Sequence, residues 1–399
     1  MTVFHDSPID HVELRRVRLK KLRNEMSKHD IAGLLLYDPL HIRYATDTSN
    51  MQIWTMHNAV RYVFIANDGP VILFDYHNCR HLSEDIEILD DIRPAISWFA
   101  FSSGERAEEM AQKWADEIAD LVRLYGHKNT RLGVDKLDPL GLKALEKNGI
   151  KVIDSELLIE QARSIKADIE IDAMIESIEA CEEGMRRMHQ AMRPGISENK
   201  LWSILHQANI ELGGEWIETR LLCSGNRTFP WFRECSSRIL QQGDLVAFDT
   251  DLIGPHGYCA DISRTWLCGD KKPTDIQRQI YQIAYTQIEK NIEALKPGMS
   301  FFEYSEKCFQ LPDDCLPYRY SVLAHGVGLC DEYPSIAYKE NRESAYDGTF
   351  QPNMVICVES LVGSKEAGQS VKLEEQVLIT QTGTKRLSTY PYENIFLEH

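Results

Sequence analysis

Long apolar runs are missing from this chain. No stretch approaches the ~20 residues needed to cross a bilayer, so a helical membrane protein is excluded. The opening segment MTVFHDSPIDHVELRRVRLKKLRNEM has no apolar h-region, and no secretory signal is expected. Positive charge is in the minority, with 44 Lys and Arg against 61 Asp and Glu. The net charge of −17 argues against nucleic acid or an anionic membrane as partner. Ten cysteines are present, but they form no C-x-x-C pair and no zinc-finger spacing. Cys259, Cys330 and Cys357 lie in apolar or motif-like stretches, and are expected to be reduced core residues of a cytoplasmic protein. Short-period repeats and low-complexity segments are also absent. What remains is an ordinary globular composition, 43% apolar and 26% charged, over 399 residues. That length allows two domains with separate cores.

The first part alternates helix and strand. Val12, Leu14, Val17, Leu19, Leu22 and Met26 recur at helical spacing, which predicts a helix over 11–29. IAGLLLYD (31–38) reads as a buried strand that stops at Pro39. Strands are expected at 61–67 and 69–75, joined by a turn at Asn67-Asp68-Gly69, and another at 131–136. Helices are expected at 105–126 and 140–149. The second part reads as helices at 171–192, 197–212, 274–296 and 301–310 among strand-like segments that can pair as hairpins. The expected division is an α/β domain over 1–164 and an α+β domain with an antiparallel sheet over 165–399.

The most informative segment is GDLVAFDTDLIGPHGYCADISRTWLCGD (243–270). Gly254-Pro255-His256-Gly257 is a turn signal between two apolar runs, which predicts a β-hairpin. Alternation along the strand sends Asp249 and Asp251 to one face. Asp261, on the returning strand, is placed as their cross-strand neighbour. Aspartate is depleted in strands, and three together in apolar surroundings would repel unless cations hold them. Hard oxygen donors at this density suit divalent Mn, Fe, Mg, Co or Zn.

More donors follow. His325 stands in AHGVGLCDEYP beside Gly326 and Gly328, which implies a tight loop with close backbone approach. Glu359 closes the apolar run NMVICVES, and Glu374 and Glu375 interrupt VKLEEQVLIT. Alternation groups Glu375 with Val371, Leu373 and Val377, but periodicity alone leaves open which glutamate is the ligand.

The ordered series of Asp pair, Asp, His-Gly-x-Gly, Glu and Glu resembles the pita-bread metallopeptidases, a family that includes methionine aminopeptidase, prolidase, aminopeptidase P and creatinase. The resemblance implies a creatinase/prolidase-like N-terminal domain and a C-terminal pita-bread domain around two divalent metal ions. It assigns the ligands as Asp249, Asp251, Asp261, His325, Glu359 and Glu374. Iron is the favoured metal, and Mn, Zn or Co suit the same donors. Two motifs depart from the peptidase pattern. Where peptidases carry HGxGLxxHExP, this chain reads HGVGLCDEYP, one residue shorter, with Asp331 in place of the second histidine. Where they carry a histidine after SGxNxxxP, this chain has Trp231. Both departures, and the stretch YDPLHIRYATDTSNMQIWTMHN (37–58), are similar to the dimethylsulfoniopropionate lyases of this fold family. That resemblance implies β-elimination from a small sulfonium acid, with Asp331 as a base whose pKa burial would raise. Trp54, Tyr320 and Trp231 become aromatic faces for the sulfonium. Trp54 precedes the expected domain boundary, and would reach the site only across a domain or subunit interface. The resemblance therefore also implies a homodimer. Readings that keep the same metal site are an Xaa-Pro dipeptidase or aminopeptidase, and a creatinase-like hydrolase of a small cationic molecule.

Overall fold

The computed structural model describes residues 9–398. The chain separates into two compact units, Asp10–Arg163 and Ser164 onward.

The N-terminal unit is built on a six-stranded sheet. Its strands are β1 (Gly33–Leu36), β2 (Tyr62–Ala66), β3 (Val71–Asp75), β4 (Asp91–Pro94), β5 (Arg131–Val134) and β6 (Lys151–Asp154), in the order β4-β3-β2-β1-β5-β6. The expected pair at 61–75 is an antiparallel hairpin, while β1, β5 and β6 run parallel. Helix Ala107–Gly126 buries Trp114, Ile118 and Val122, spaced one helical turn apart, in a core with Phe64, Tyr62 and Leu132. At Pro39 the expectation is corrected. Pro39 does not merely end the strand; it opens a helix over Pro39–Thr46, capped by the Asp38 carboxylate on Leu40 N. Proline fits the first helical position because its missing N–H would be unpaired there anyway.

The C-terminal unit begins with helix Asp168–Ala191 and helix Glu198–Glu211. Two small antiparallel sheets follow. One has the order β11-β10-β7, from β7 (Trp216–Ile217), β10 (Leu252–Ile253) and β11 (Cys259–Ala260). The other has the order β12-β9-β8, from β8 (Leu222–Ser224), β9 (Leu245–Asp249) and β12 (Ser263–Leu267). The expected hairpin is present, with its turn at Gly254–Gly257, but it is shared between both sheets. Asp251 has φ of +37°, a left-handed value that breaks the ladder between β9 and β10.

The largest sheet has the order β14-β13-β15-β16-β17, from β13 (Ala324–Val327), β14 (Asp331–Ile336), β15 (Val355–Gly363), β16 (Ser370–Ile379) and β17 (Thr384–Arg386). One face carries Ile356, Val358, Val371, Leu373 and Val377 into a core with Ile280, Tyr281, Ala284 and Ile288 of helix Asp275–Ala294. Burying each such aliphatic side chain is worth about 1.5–3 kcal/mol. That packing leaves the other face of the sheet for polar work.

All ten thiols are free. Cys259 and Cys357 are buried as expected, but Cys330 is only half-buried.

Candidate metal centre

Register in the large sheet assembles the first half of the site. In an antiparallel pair, directly opposed residues point to the same face. Glu359 of β15 opposes Glu374 of β16, and His325 of β13 opposes Cys357. His325, Glu359 and Glu374 therefore converge on one face. His325 Nε2 lies 3.5 Å from Glu359 Oε1, 3.5 Å from Glu374 Oε1 and 3.5 Å from Asp261 Oδ2. Its Nδ1 is 3.1 Å from the Gly326 carbonyl oxygen, a contact that fixes the proton on Nδ1 and leaves Nε2 as the donor nitrogen.

The split hairpin supplies the second half. Asp249 ends β9, Asp251 sits in the left-handed link and Asp261 lies between β11 and β12. One oxygen from each of these three carboxylates lies within 4.8 Å of the others. All six residues assigned from sequence as ligands are thus brought together. Asp261 joins the two halves.

The glycines beside His325 work through close approach. A side chain at Gly326 would meet the Tyr333 carbonyl, and one at Gly328 would fall inside the Glu332 carboxylate. Glu332 is itself held by Lys166 Nζ at 2.8 Å and Leu329 N at 2.8 Å.

The electrostatics of the cluster suit bound cations. Burial and then its acidic neighbour Glu374 push Asp249 up to about 6, against the opposing pull of Lys372. Glu359 is pushed up to about 8 by burial and Glu374. Asp251 and Asp261 are driven well above the carboxylate range by burial and by neighbouring carboxylates. Burial alone would lower His325, but Asp331, Glu359 and Glu374 hold it well above the imidazole range. Asp261 Oδ1 and Glu374 Oε1 are buried and accept no hydrogen bond. Buried polar atoms are normally paired. Orphaned carboxylate oxygens facing a histidine nitrogen fit a pair of hard divalent ions.

The remaining sequence-derived residues lie in different settings. Asp331 Oδ1 is 3.6 Å from His325 Nδ1, but the Asp331 side chain is 62% exposed. The burial expected for it is not found. It opens β14, an edge strand whose alternation turns Asp331 and Ser335 outward and Glu332 and Pro334 inward. Trp231 is 7% exposed and packs with Cys223, Ala247, Leu361 and Tyr320. The Tyr320 ring lies 4.5 Å from Lys372 Nζ and 5.6 Å from the Phe232 ring. Trp54 belongs to the N-terminal unit, where its ring lies 5.5 Å from Tyr76.

Three further residues here were assigned no role from the sequence. Ser263 Oγ donates to Asp249 Oδ1 at 2.7 Å or Glu374 Oε2 at 2.9 Å. Phe232 is 58% exposed with φ of +68° and stacks on Tyr320. Lys372 is fully buried among the carboxylates. A signal for Lys372 was available, since it stands two residues before Glu374 and so shares its face. Glu375 is committed elsewhere, 2.7 Å from Arg264 Nη2 on the opposite face.

Residues 172–381 match the model of metallopeptidase family M24, and residues 18–165 match the creatinase/prolidase N-terminal domain. The chain belongs to metallopeptidase family M24. Within that family it is 41% identical to the dimethylsulfoniopropionate lyase DddP of Roseovarius nubinhibens, over 96% of this chain and 87% of that protein. It is 25% identical to the Xaa-Pro dipeptidase of Pyrococcus furiosus, over 93% of this chain and 97% of the relative. The M24 fold is seen again in solved structures. The Xaa-Pro dipeptidase from Bacillus anthracis superposes with a TM-score of 0.74 at 21% identity, covering 95% of this chain and 99% of that one. The prolidase from Pyrococcus furiosus gives 0.71 at 22% identity, covering 92% and 99%. These structures share the two-domain architecture, a creatinase-type N-terminal domain followed by a pita-bread domain.

Proposed function

We propose that this M24 chain is a metal-dependent carbon–sulfur lyase that cleaves dimethylsulfoniopropionate to dimethyl sulfide and acrylate. The observation that carries the reading is the carboxylate of Asp331, 3.6 Å from the imidazole of His325, at the position where peptidases of this fold resemble one another in having a histidine. The 41% identity to the DddP lyase supports it.

Asp249, Asp251, Asp261, His325, Glu359 and Glu374 would hold two divalent ions, with iron our preferred assignment. When bound, such ions supply Lewis-acid stabilisation of the negative charge that develops on the substrate carboxylate. The chain's own residues do the rest. Asp331 takes the proton from Cα. The electron pair of that C–H bond becomes the Cα–Cβ double bond. The Cβ–S bond breaks, and its pair leaves on sulfur as neutral dimethyl sulfide. The exposure of Asp331 lets water carry the proton away between turnovers. Trp231, Tyr320 and Trp54 are the candidate faces for the sulfonium, at about 0.5–2 kcal/mol for a cation over a ring. A homodimer in the cytoplasm is our proposed state.

The test is direct. Purified protein loaded with iron or manganese is incubated with dimethylsulfoniopropionate, and dimethyl sulfide is followed by gas chromatography. We expect stoichiometric dimethyl sulfide and acrylate. Metal-loaded protein that yields no dimethyl sulfide but cleaves an Xaa-Pro dipeptide would return the chain to the peptidases.

A further inference from the structure

Among the described residues, Lys372 is a cation with a full complement of contacts inside the acidic cluster. It is fully buried. Its Nζ lies 2.6 Å from Glu359 Oε2, 3.1 Å from Glu374 Oε2, 3.2 Å from Asp249 Oδ2 and 2.8 Å from Ser263 Oγ. The Tyr320 ring lies 4.5 Å from it. A buried ammonium is costly unless it is paired and hydrogen-bonded on several sides, and these contacts meet that condition.

The contacts divide the two glutamates. Each gives its Oε2 to Lys372 and turns its Oε1 toward His325, at 3.5 Å in both cases. Lys372 therefore orients both carboxylates without consuming the oxygens that face the histidine. Glu374 Oε1 remains without a hydrogen bond. Charge gives the second half of the argument. Asp249, Asp251, Asp261, Glu359 and Glu374 carry one negative charge more than two divalent ions can neutralise. Lys372 cancels that remainder. In a site removed from water, one uncompensated charge is weakly screened and repels an incoming anion.

We infer that Lys372 is a positioning residue that cancels the one negative charge the ligand carboxylates leave over, and so makes the loaded centre a receptor for a carboxylate. The substrate class is thereby a small carboxylic acid, and an uncharged analogue gains nothing from this lysine. The inference rests on the two-ion reading of the cluster, but not on the lyase reaction.

Propionate and its uncharged isostere propionamide separate these roles. Neither reacts, so binding is read without turnover. Wild type, Lys372→Met and Lys372→Arg are loaded with manganese. Bound metal is counted by elemental analysis, and each ligand is titrated calorimetrically. We expect two ions per chain in all three proteins. Lys372→Met should bind propionate at least tenfold more weakly than wild type, and propionamide within twofold of wild type. Lys372→Arg should recover propionate binding. If Lys372→Met fails to fold, by circular dichroism and melting, Lys372→Gln replaces it with the same expectations. Two ions with unchanged propionate affinity in the neutral variant overturn the role of Lys372 alone. Loss of ions in the neutral variant, with propionate binding unrestored by arginine, reduces Lys372 to a structural residue. A wild-type chain that takes up no ions overturns the centre and this inference together.

Discussion

Asp331 and His325 make the chemistry of this site local. The two side chains approach to 3.6 Å, yet they stand on opposite sides of the solvent boundary, with the histidine buried and the aspartate open. In the proposed reaction a base at the rim would meet the substrate and shed its proton to water. Asp331→Ala should therefore lower kcat/KM for dimethyl sulfide release by about 10²–10⁴-fold, the usual contribution of general-base catalysis, and leave both ions in place. Elemental analysis alongside kinetics checks it. Loss of an ion in the variant would make Asp331 a ligand rather than a base. In our proposal Lys372 acts through the carboxylates it contacts, and its variants should change affinity for carboxylates rather than the proton-transfer step.

Strands and helices set which side chains can meet. In β16, alternation gives Lys372, Glu374 and Gln376 to the site and Val371, Leu373, Glu375 and Val377 to the far side, where Arg264 receives Glu375. This pattern was legible in the sequence. Its meaning was not, because the partner that absorbs Glu375 lies more than a hundred residues away in the chain. The helix opened by Pro39 shows a second limit, since a proline after an apolar run marks either a stop or a start. At the C-terminal end of that helix, Asp47 has φ of +60° and gathers His11, Arg15, Arg18 and Arg43. Burial alone would raise Asp47, but His11, Arg18 and Arg43 pull it from 3.8 down to about 2. A depressed carboxyl stabilises the fold above its unfolded pKa, and that stability is lost as pH falls toward the folded value. Asp47→Asn keeps a side chain that tolerates left-handed backbone and removes only the charge. It should cost the N-terminal unit about 2 kcal/mol at neutral pH in urea unfolding. The difference from wild type should vanish as pH drops from about 4 to about 2.

The whole molecule consists of two units with separate cores, and the acidic cluster belongs to only one. Ligand binding stabilises the unit that binds, by about 2.7 kcal/mol per ion at a hundredfold excess over Kd. For a unit of this size that corresponds to roughly 5–10 °C for one ion. Chelation followed by differential scanning calorimetry should lower the C-terminal transition by at least that much and leave the N-terminal one in place. Equal shifts in both transitions would mean that the units unfold together. Among the described residues, no helix is long and apolar enough to cross a membrane.

Local signals in the chain carry the donor types and their order. Carboxylates in apolar strands, a histidine between glycines and the turn of the hairpin are local signals, set by period-two alternation and by backbone freedom at glycine. Tertiary structure decided what alternation cannot reach. It joined Asp261 to His325, sent Glu375 to Arg264, turned Asp331 to solvent on an edge strand and buried Lys372 among the carboxylates. Each depends on which strands pair and in which register. Those pairings link residues far apart in sequence, so their energies appear only once the sheets have closed around the charges.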